Sequence, residues 1–139
     1  MSTDQRTTYT ANCHCNQIRY TVTLPIALAP AGPGKINKCN CSICTKLGYL
    51  LVYPKREDVV FEAGCDAFLK DYYFGKKQKP HRFCGGCGSS VLIDFKDAAS
   101  ERERPFLAMN TRLFKDIDLD EAEYTTFDGR NRLEPAYEF

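Results

Sequence analysis

The chain has 139 residues, of which 43% are hydrophobic and 27% charged, and its mean hydropathy is −0.42. Nineteen basic and eighteen acidic residues give a formal net charge of only +1. This length predicts one folded domain spanning residues 1–139, and the balanced charge excludes a general attraction for nucleic acid or for an anionic membrane surface.

The N-terminal stretch MSTDQRTTYTANC is polar and has no apolar core of a secretory signal. No segment of the sequence approaches the ~20 apolar residues that a membrane-spanning helix needs. We therefore expect a soluble, cytoplasmic protein that binds neither nucleic acid nor membrane. The oligomeric state cannot be read from the sequence.

In chain order, strand signals dominate. In the first segment, Ile18, Tyr20, Val22 and Leu24 alternate with polar residues, which is the pattern of a half-buried strand. Similar patterns predict strands over 18–24, 49–53, 59–61, 68–74, 90–95 and 106–110. Helix signals are short and occur only at 43–47 and 97–102. The sequence predicts a mainly β fold with little helix.

The connecting and terminal segments carry weaker signals. The stretch APAGPG at 29–34 predicts a plain loop, and the basic run GKKQKPHR at 75–82 predicts a solvated loop or, alternatively, a basic rim for a ligand. The tail over 116–139 is acidic first and aromatic later. We expect it to pack back onto the domain through Tyr124, Phe127, Tyr137 and Phe139.

Eight cysteines are the strongest signal in the sequence. A cytoplasmic location disfavours disulfides and favours metal ligation. In FCGGCGSS, two residues separate Cys84 from Cys87, and the glycines permit a tight turn that brings both thiolates to one ion. Cys13 and Cys15 can complete this site, because both pairs lie at the end of a predicted strand. These four cysteines predict a structural zinc.

The remaining cluster, CNCSIC, supplies Cys39, Cys41 and Cys44. Three protein ligands with one open position are typical of a catalytic zinc. Several alternatives remain open: Cys65 closes this site and makes both ions structural, His14 or His81 completes a site, or the CxxC pair is a redox motif.

The combined pattern resembles a known family. CxC near the N-terminus, CxCSxC followed by Lys46 and Gly48, and HRFCGGCGS are similar to the glutathione-dependent formaldehyde-activating enzymes, a family that includes centromere protein V. The resemblance covers roughly residues 8–110. Family members often carry a basic residue directly after the third cysteine of the middle cluster, where this chain has Thr45 followed by Lys46.

The resemblance implies a β-tent zinc-binding fold of short antiparallel sheets. It implies a structural zinc on Cys13, Cys15, Cys84 and Cys87 and a catalytic-type zinc on Cys39, Cys41 and Cys44, which is the partition that the spacing indicates. It also implies the condensation of glutathione with formaldehyde to S-(hydroxymethyl)glutathione, which in reverse is a carbon–sulfur lyase reaction.

The candidate substrate-binding residues are Lys46, Gly48, Tyr49 and Asn110, with Asn110 alternatively capping a turn. Two other functions stay open. The chain could be an enzyme of the same kind that acts on a different thiol adduct or imine. It could also be a zinc module that binds a protein partner without catalysis.

Overall fold

The structure is a computed structural model that describes residues 6–133 and residue 137. The described part is mainly β, as predicted. Its strands are β1 (Thr7–Asn12), β2 (Arg19–Leu24), β3 (Lys35–Cys39), β4 (Leu51–Val52), β5 (Val59–Phe61), β6 (Leu69–Tyr72), β7 (His81–Cys84), β8 (Ser90–Asp94), β9 (Leu107–Asn110) and β10 (Glu123–Phe127). Its α-helices are α1 (Ser42–Leu47) and α2 (Gly129–Arg132).

The described strands form two sheets. The smaller has the order β1-β2-β5 and the larger the order β10-β3-β4-β9-β8-β7-β6. The pairs are antiparallel except for β10 and β3, which run parallel, so the larger sheet is mixed where the sequence analysis expected antiparallel pairing. No helix within the described residues is long and apolar enough to cross a membrane.

The core lies between the two sheets. Tyr20, Val22 and Leu24 are buried on β2, which confirms the alternating pattern, and they pack in one cluster with residues such as Leu92 and Met109 from the larger sheet. A smaller cluster contains Cys44, Tyr49, Leu51, Ile93 and Ala108. The second cluster links helix α1 to the middle of the larger sheet.

Several predicted elements changed in length or were missed. The strand predicted at 49–53 is reduced to Leu51–Val52, and the segment predicted at 68–74 forms a strand only over Leu69–Tyr72. Four strands, β1, β3, β7 and β10, were not predicted. Their sequences, for example TTYTAN and HRFC, contain only two apolar or aromatic residues each, so their pairing partners rather than their own periodicity determine that they are strands.

The helix predicted at 97–102 was wrong. This segment consists of turns in which backbone hydrogen bonds span three residues, as from the Ala98 amide to the Phe95 carbonyl (3.0 Å) and from the Glu103 amide to the Ser100 carbonyl (3.1 Å). A six-residue segment is stable as a helix only if it packs an apolar face, and here Ala98 is its buried residue. The helix predicted at 43–47 is α1, which begins one residue earlier.

The C-terminal segment joins the larger sheet through β10 and packs against the core with Ile117, Leu119, Ala122 and Tyr124. Of the aromatic residues expected to make this contact, Tyr124 does so. Phe127 is 36% exposed, and Tyr137, which is 48% exposed, lies against the domain surface beside α1. Phe139 lies outside the described residues. The tail therefore closes the fold mainly by strand pairing.

Candidate metal centres and active site

The first sulfur cluster contains Cys13, Cys15, Cys84 and Cys87, whose Sγ atoms all lie within 4.8 Å of one another. Cys15 Sγ is 3.6 Å from both Cys13 Sγ and Cys84 Sγ. Sulfurs bound at about 2.3 Å to one tetrahedral ion lie about 3.8 Å apart, whereas disulfide sulfurs are about 2.05 Å apart. The donor set therefore fits one tetrahedral metal ion, and all four cysteines are free of disulfides.

Two similar turns build this cluster. In the second turn, the Gly88 amide donates to the Cys84 carbonyl (2.8 Å), and Gly88 has a φ of +80°, which favours glycine. The Gly86 amide also points at Cys84 Sγ (3.3 Å). Such amide contacts stabilise a thiolate, so the tight glycine turn places a hydrogen-bond donor at the Cys84 sulfur.

The first turn makes contacts of the same kinds at different spacings along the chain. The Asn16 amide donates to the Cys13 carbonyl (3.0 Å), Asn16 has a φ of +68°, and the Ile18 amide points at Cys13 Sγ (3.3 Å). The two turns are joined by a hydrogen bond from the His14 amide to Ser89 Oγ (3.1 Å). His14 contributes this backbone contact, and its exposed side chain is not part of the sulfur cluster.

The second cluster contains Cys39, Cys41 and Cys44, with Sγ atoms within 4.8 Å of one another. Cys39 ends β3, Cys41 is the N-cap of α1, and Cys44 lies in the helix. Among the described residues, no further Cys, His, Asp or Glu belongs to this group. Cys65 is buried in a short 3-10 turn (Cys65–Phe68) after β5, apart from both clusters.

The protonation of the second cluster is shared between its thiols. A hydrogen bond from the Cys44 thiol lowers the pKa of Cys41 to about 5, against the effect of burial, and the amides at the start of α1 lower it further. The same hydrogen bond, together with burial, raises the pKa of Cys44. The cluster can therefore hold one thiolate at neutral pH from its own contacts, which suits a cation-binding site.

The sequence analysis missed a residue that lies directly against this cluster. Gly129, at the start of α2, lies against Cys39 and Cys41. The available signal was the Asp-Gly pair in FDGRN, which is typical of a turn. Local sequence does not indicate that this turn meets cysteines about ninety positions earlier.

Two of the predicted substrate-binding residues, Gly48 and Asn110, make hydrogen bonds that stabilise the backbone around α1. Gly48 ends the helix with a φ of +71°, and its carbonyl accepts a hydrogen bond from Arg112 Nε (2.6 Å). Asn110 is buried, and its side chain accepts from the Arg112 amide (3.2 Å) and donates to the Ser90 carbonyl (2.9 Å). This arrangement matches the capping alternative for Asn110.

Lys46 and Tyr49 line a cavity of about 410 Å³ beside α1. The other lining residues are largely aromatic or apolar: Ile43, Leu47, Tyr72, Phe74, Phe83 and Tyr137, with Ser42, His81, Gly88 and Ser90. The hydroxyl of Tyr49 is 3.3 Å from His81 Nδ1. Burial, with a smaller effect of Lys79, lowers the pKa of His81 to about 4, so its imidazole is neutral at pH 7.

Two of the basic side chains in the run at 75–82 form ion pairs. Lys79 lies 3.0 Å from Glu103, and Arg82 lies 2.8 Å from Asp71. All four side chains are at least 32% exposed. These contacts favour the solvated-loop interpretation over a ligand-binding rim.

Comparison with known proteins identifies a family and a common fold. The sequence model of a family described as glutathione-dependent formaldehyde-activating enzyme matches residues 8–138, which extends into the tail beyond the cysteine motifs. The chain is similar to a crystal structure of a Rhodobacter sphaeroides protein, with a TM-score of 0.64 and 20% sequence identity over 84% of this chain and 99% of the other. At this identity the likeness shows a common fold. None of the curated proteins compared with the chain shows significant similarity.

Proposed function

The chain belongs to the glutathione-dependent formaldehyde-activating enzyme family, and from this premise we propose that it is a zinc-dependent enzyme with carbon–sulfur lyase chemistry. Its substrates are glutathione and an aldehyde, with S-(hydroxymethyl)glutathione as the product when the aldehyde is formaldehyde. The observation that carries the proposal is the group of three sulfurs, Cys39, Cys41 and Cys44, which has no fourth protein ligand among the described residues.

Two zinc ions per chain are proposed, with different roles. Cys13, Cys15, Cys84 and Cys87 hold the structural ion, and Cys39, Cys41 and Cys44 hold the catalytic-type ion. When bound at the second cluster, zinc supplies a Lewis acid that stabilises thiolate at neutral pH. Soft sulfur ligands suit zinc better than magnesium or calcium.

The reaction joins the glutathione sulfur to the aldehyde carbon. The sulfur loses its proton and bonds to the carbonyl carbon, the electron pair of the C=O double bond moves to oxygen, and that oxygen takes up a proton. The reverse reaction breaks the carbon–sulfur bond and returns the proton to sulfur. The protein contributes chiefly by holding both reactants together.

The surroundings of the second cluster support this chemistry. Leu51, Ile93 and Ala108 pack with Cys44 in a buried cluster, which excludes water from one side of the sulfurs and strengthens electrostatic contacts there. Tyr49 packs in the same cluster and also lines the neighbouring cavity. Its ring therefore connects the sulfur site with the space in which a substrate could bind.

The experiment is NMR exchange spectroscopy on glutathione and formaldehyde, because the condensation also runs without a catalyst. We expect the wild-type protein to accelerate exchange and Cys44→Ser to lose at least about 90% of that acceleration while keeping its fold. Cys65→Ser is the matched control, since Cys65 is a buried cysteine outside both clusters. Full acceleration by Cys44→Ser would refute the assignment of the site.

The cavity beside α1 favours a second candidate, an enzyme of the same kind that acts on the adduct of a larger aldehyde. Among the described residues, no carboxylate lines this cavity, His81 is neutral, and the walls are largely aromatic or apolar. An aromatic substituent would fill a space that formaldehyde leaves vacant. The same assay with phenylacetaldehyde tests this: greater acceleration than with formaldehyde would favour the second candidate, and smaller acceleration would favour the first.

A further inference from the structure

The parallel pairing of β10 with β3 brings the C-terminal segment to the second sulfur cluster. Phe127, the last residue of β10, is the register partner of Cys39, the last residue of β3, and the Asn40 amide donates to the Phe127 carbonyl (3.2 Å). The segments that follow β3 and β10 leave the sheet side by side. The residues of these two segments therefore meet at the cysteines.

A set of hydrogen bonds, here called the Asn40 clasp, holds the segments after β3 and β10 together beyond the sheet. Asn40 Nδ2 donates to Asp128 Oδ1 (2.9 Å), and Asn40 Oδ1 accepts from the Arg130 amide (2.9 Å). Asn131 Nδ2 donates to the other oxygen of Asp128 (2.9 Å). Both ends of the Asn40 amide are thus used to fix the turn that begins α2.

Gly129 lies inside this clasp, where there is no space for a side chain. A Cβ atom at position 129 would be 2.7 Å from Cys39 Sγ and 3.0 Å from Cys41 Cβ. Carbon and sulfur atoms at 2.7 Å are far inside van der Waals contact, since even two carbons prefer about 3.5–4.0 Å. The backbones of Cys39 and Cys41 cannot easily move away, because one ends a strand and the other caps a helix, so the Cys39 sulfur itself would have to move.

The requirement for glycine at this position is one of space and not of backbone conformation. Gly129 is buried in the first turn of α2 and does not have the positive φ of Gly48 or Gly88. An alanine could adopt the same backbone without strain. The structure therefore requires a glycine here because neighbouring atoms fill the space that a Cβ would take: the Cys39 sulfur lies nearest, and Cys41 Cβ and Leu133 Cδ1 are each 3.0 Å from that position.

We propose that Gly129 is a positioning residue for the three-cysteine cluster and that the Asn40 clasp holds it in place. This inference rests on the proposed function in one respect, that the cluster binds a metal ion. Because Gly129 has no side chain, the turn can lie against the Cys39 sulfur. This contact holds the Cys39 sulfur toward Cys41 and Cys44. A side chain at 129 displaces that sulfur, so the second site should bind its ion more weakly while the first site is unaffected.

The test is metal binding by Gly129→Ala. Wild-type protein should bind two ions per chain, and the variant should retain the first ion and bind the second at least about tenfold more weakly in a chelator competition. Cobalt(II) substitution gives a readout independent of activity, because displacement of one sulfur changes the thiolate-to-cobalt absorption of the second site. Arg130→Ala is the matched control, since its exposed side chain lies in the same turn and its amide is retained.

Asn40→Ala provides a second variant that introduces no steric clash. It opens the clasp from the β3 side, and we expect a smaller loss of affinity at the second site, with a cobalt spectrum shifted in the same direction. Wild-type affinity and spectrum in both variants would overturn this inference and leave the proposed function intact. A wild-type protein that binds a single ion, removed by Cys84→Ser, would instead overturn the proposed function and this inference with it.

Discussion

At the residue scale, the glycines near α1 and the second cluster serve different physical purposes. Gly48 has a φ of +71°, and a Cβ there would meet Arg112 Nε at 3.5 Å, an ordinary contact. Gly129 has no such backbone requirement, but a Cβ there would overlap Cys39 Sγ. The first glycine is required by the backbone and the second by the space beside a sulfur.

A pH prediction follows from His81, which is buried and has a pKa lowered from 6.5 to about 4. His81 binds a proton less readily in the folded state than in the unfolded state. The free energy of unfolding is therefore highest above pH 6.5, and it decreases as the pH falls from 6.5 toward 4. With about 1.4 kcal/mol per pKa unit, the loss should reach up to about 3 kcal/mol.

The measurement is the free energy of unfolding in urea at several pH values for the wild type and for His81→Gln. Gln does not titrate and can still bond to the Tyr49 hydroxyl. Acid release of bound metal affects both proteins equally, so their difference isolates His81. Parallel pH profiles for the two proteins would contradict the prediction.

At the element scale, helix α1 has only six residues, and it supports two of the three cysteines of the second cluster, Cys44 within the helix and Cys41 at its N-cap. A helix this short is not stable by itself. Its end is fixed by the Gly48 amide, which donates to the Cys44 carbonyl (2.9 Å), and by the Arg112 contact to the Gly48 carbonyl. Packing of Cys44 against the larger sheet completes its support.

Gly48→Ala should therefore destabilise the protein by about 1–2 kcal/mol, because alanine in the left-handed conformation costs that much. Gly48→Asn should cost less, since asparagine tolerates this conformation better. Urea unfolding of the two variants checks the order. Equal stability of Gly48→Ala and the wild type would show that the helix end rearranges at no cost.

At the scale of the whole molecule, the first cluster joins the two sheets. Cys13 and Cys15 lie at the turn between β1 and β2 of the smaller sheet, and Cys84 and Cys87 lie at the turn between β7 and β8 of the larger one. A metal ion held by all four links turns whose cysteines are about seventy positions apart in the chain. Such a link stabilises the folded state by its binding free energy.

Removal of this ion should therefore lower the stability of the entire protein. We expect Cys84→Ser to lower Tm by on the order of 10 °C, whereas Cys44→Ser changes it by only a few degrees. Thermal unfolding with and without a chelator measures both effects, and chelation should reproduce the larger shift. Equal shifts for the two variants would contradict the division into a structural and a catalytic-type site.

The sequence by itself determined the mainly β class and the family resemblance, because these depend on alternation and on cysteine spacing over a few residues, and it carried a short helix signal at α1. It grouped Cys39 with Cys41 and Cys44 for the same reason, since ligands two or three positions apart can reach one point. The structure brings the same seven sulfurs into two groups.

Only the tertiary structure decided what surrounds these groups. The parallel pairing of β10 with β3, the contact of Gly129 with Cys39 and the cavity beside α1 all join segments far apart in the chain. Local periodicity carries no information about which distant segments meet. The two sheets meet because they bury their apolar faces against one another, and the C-terminal strand joins the larger sheet by pairing with β3.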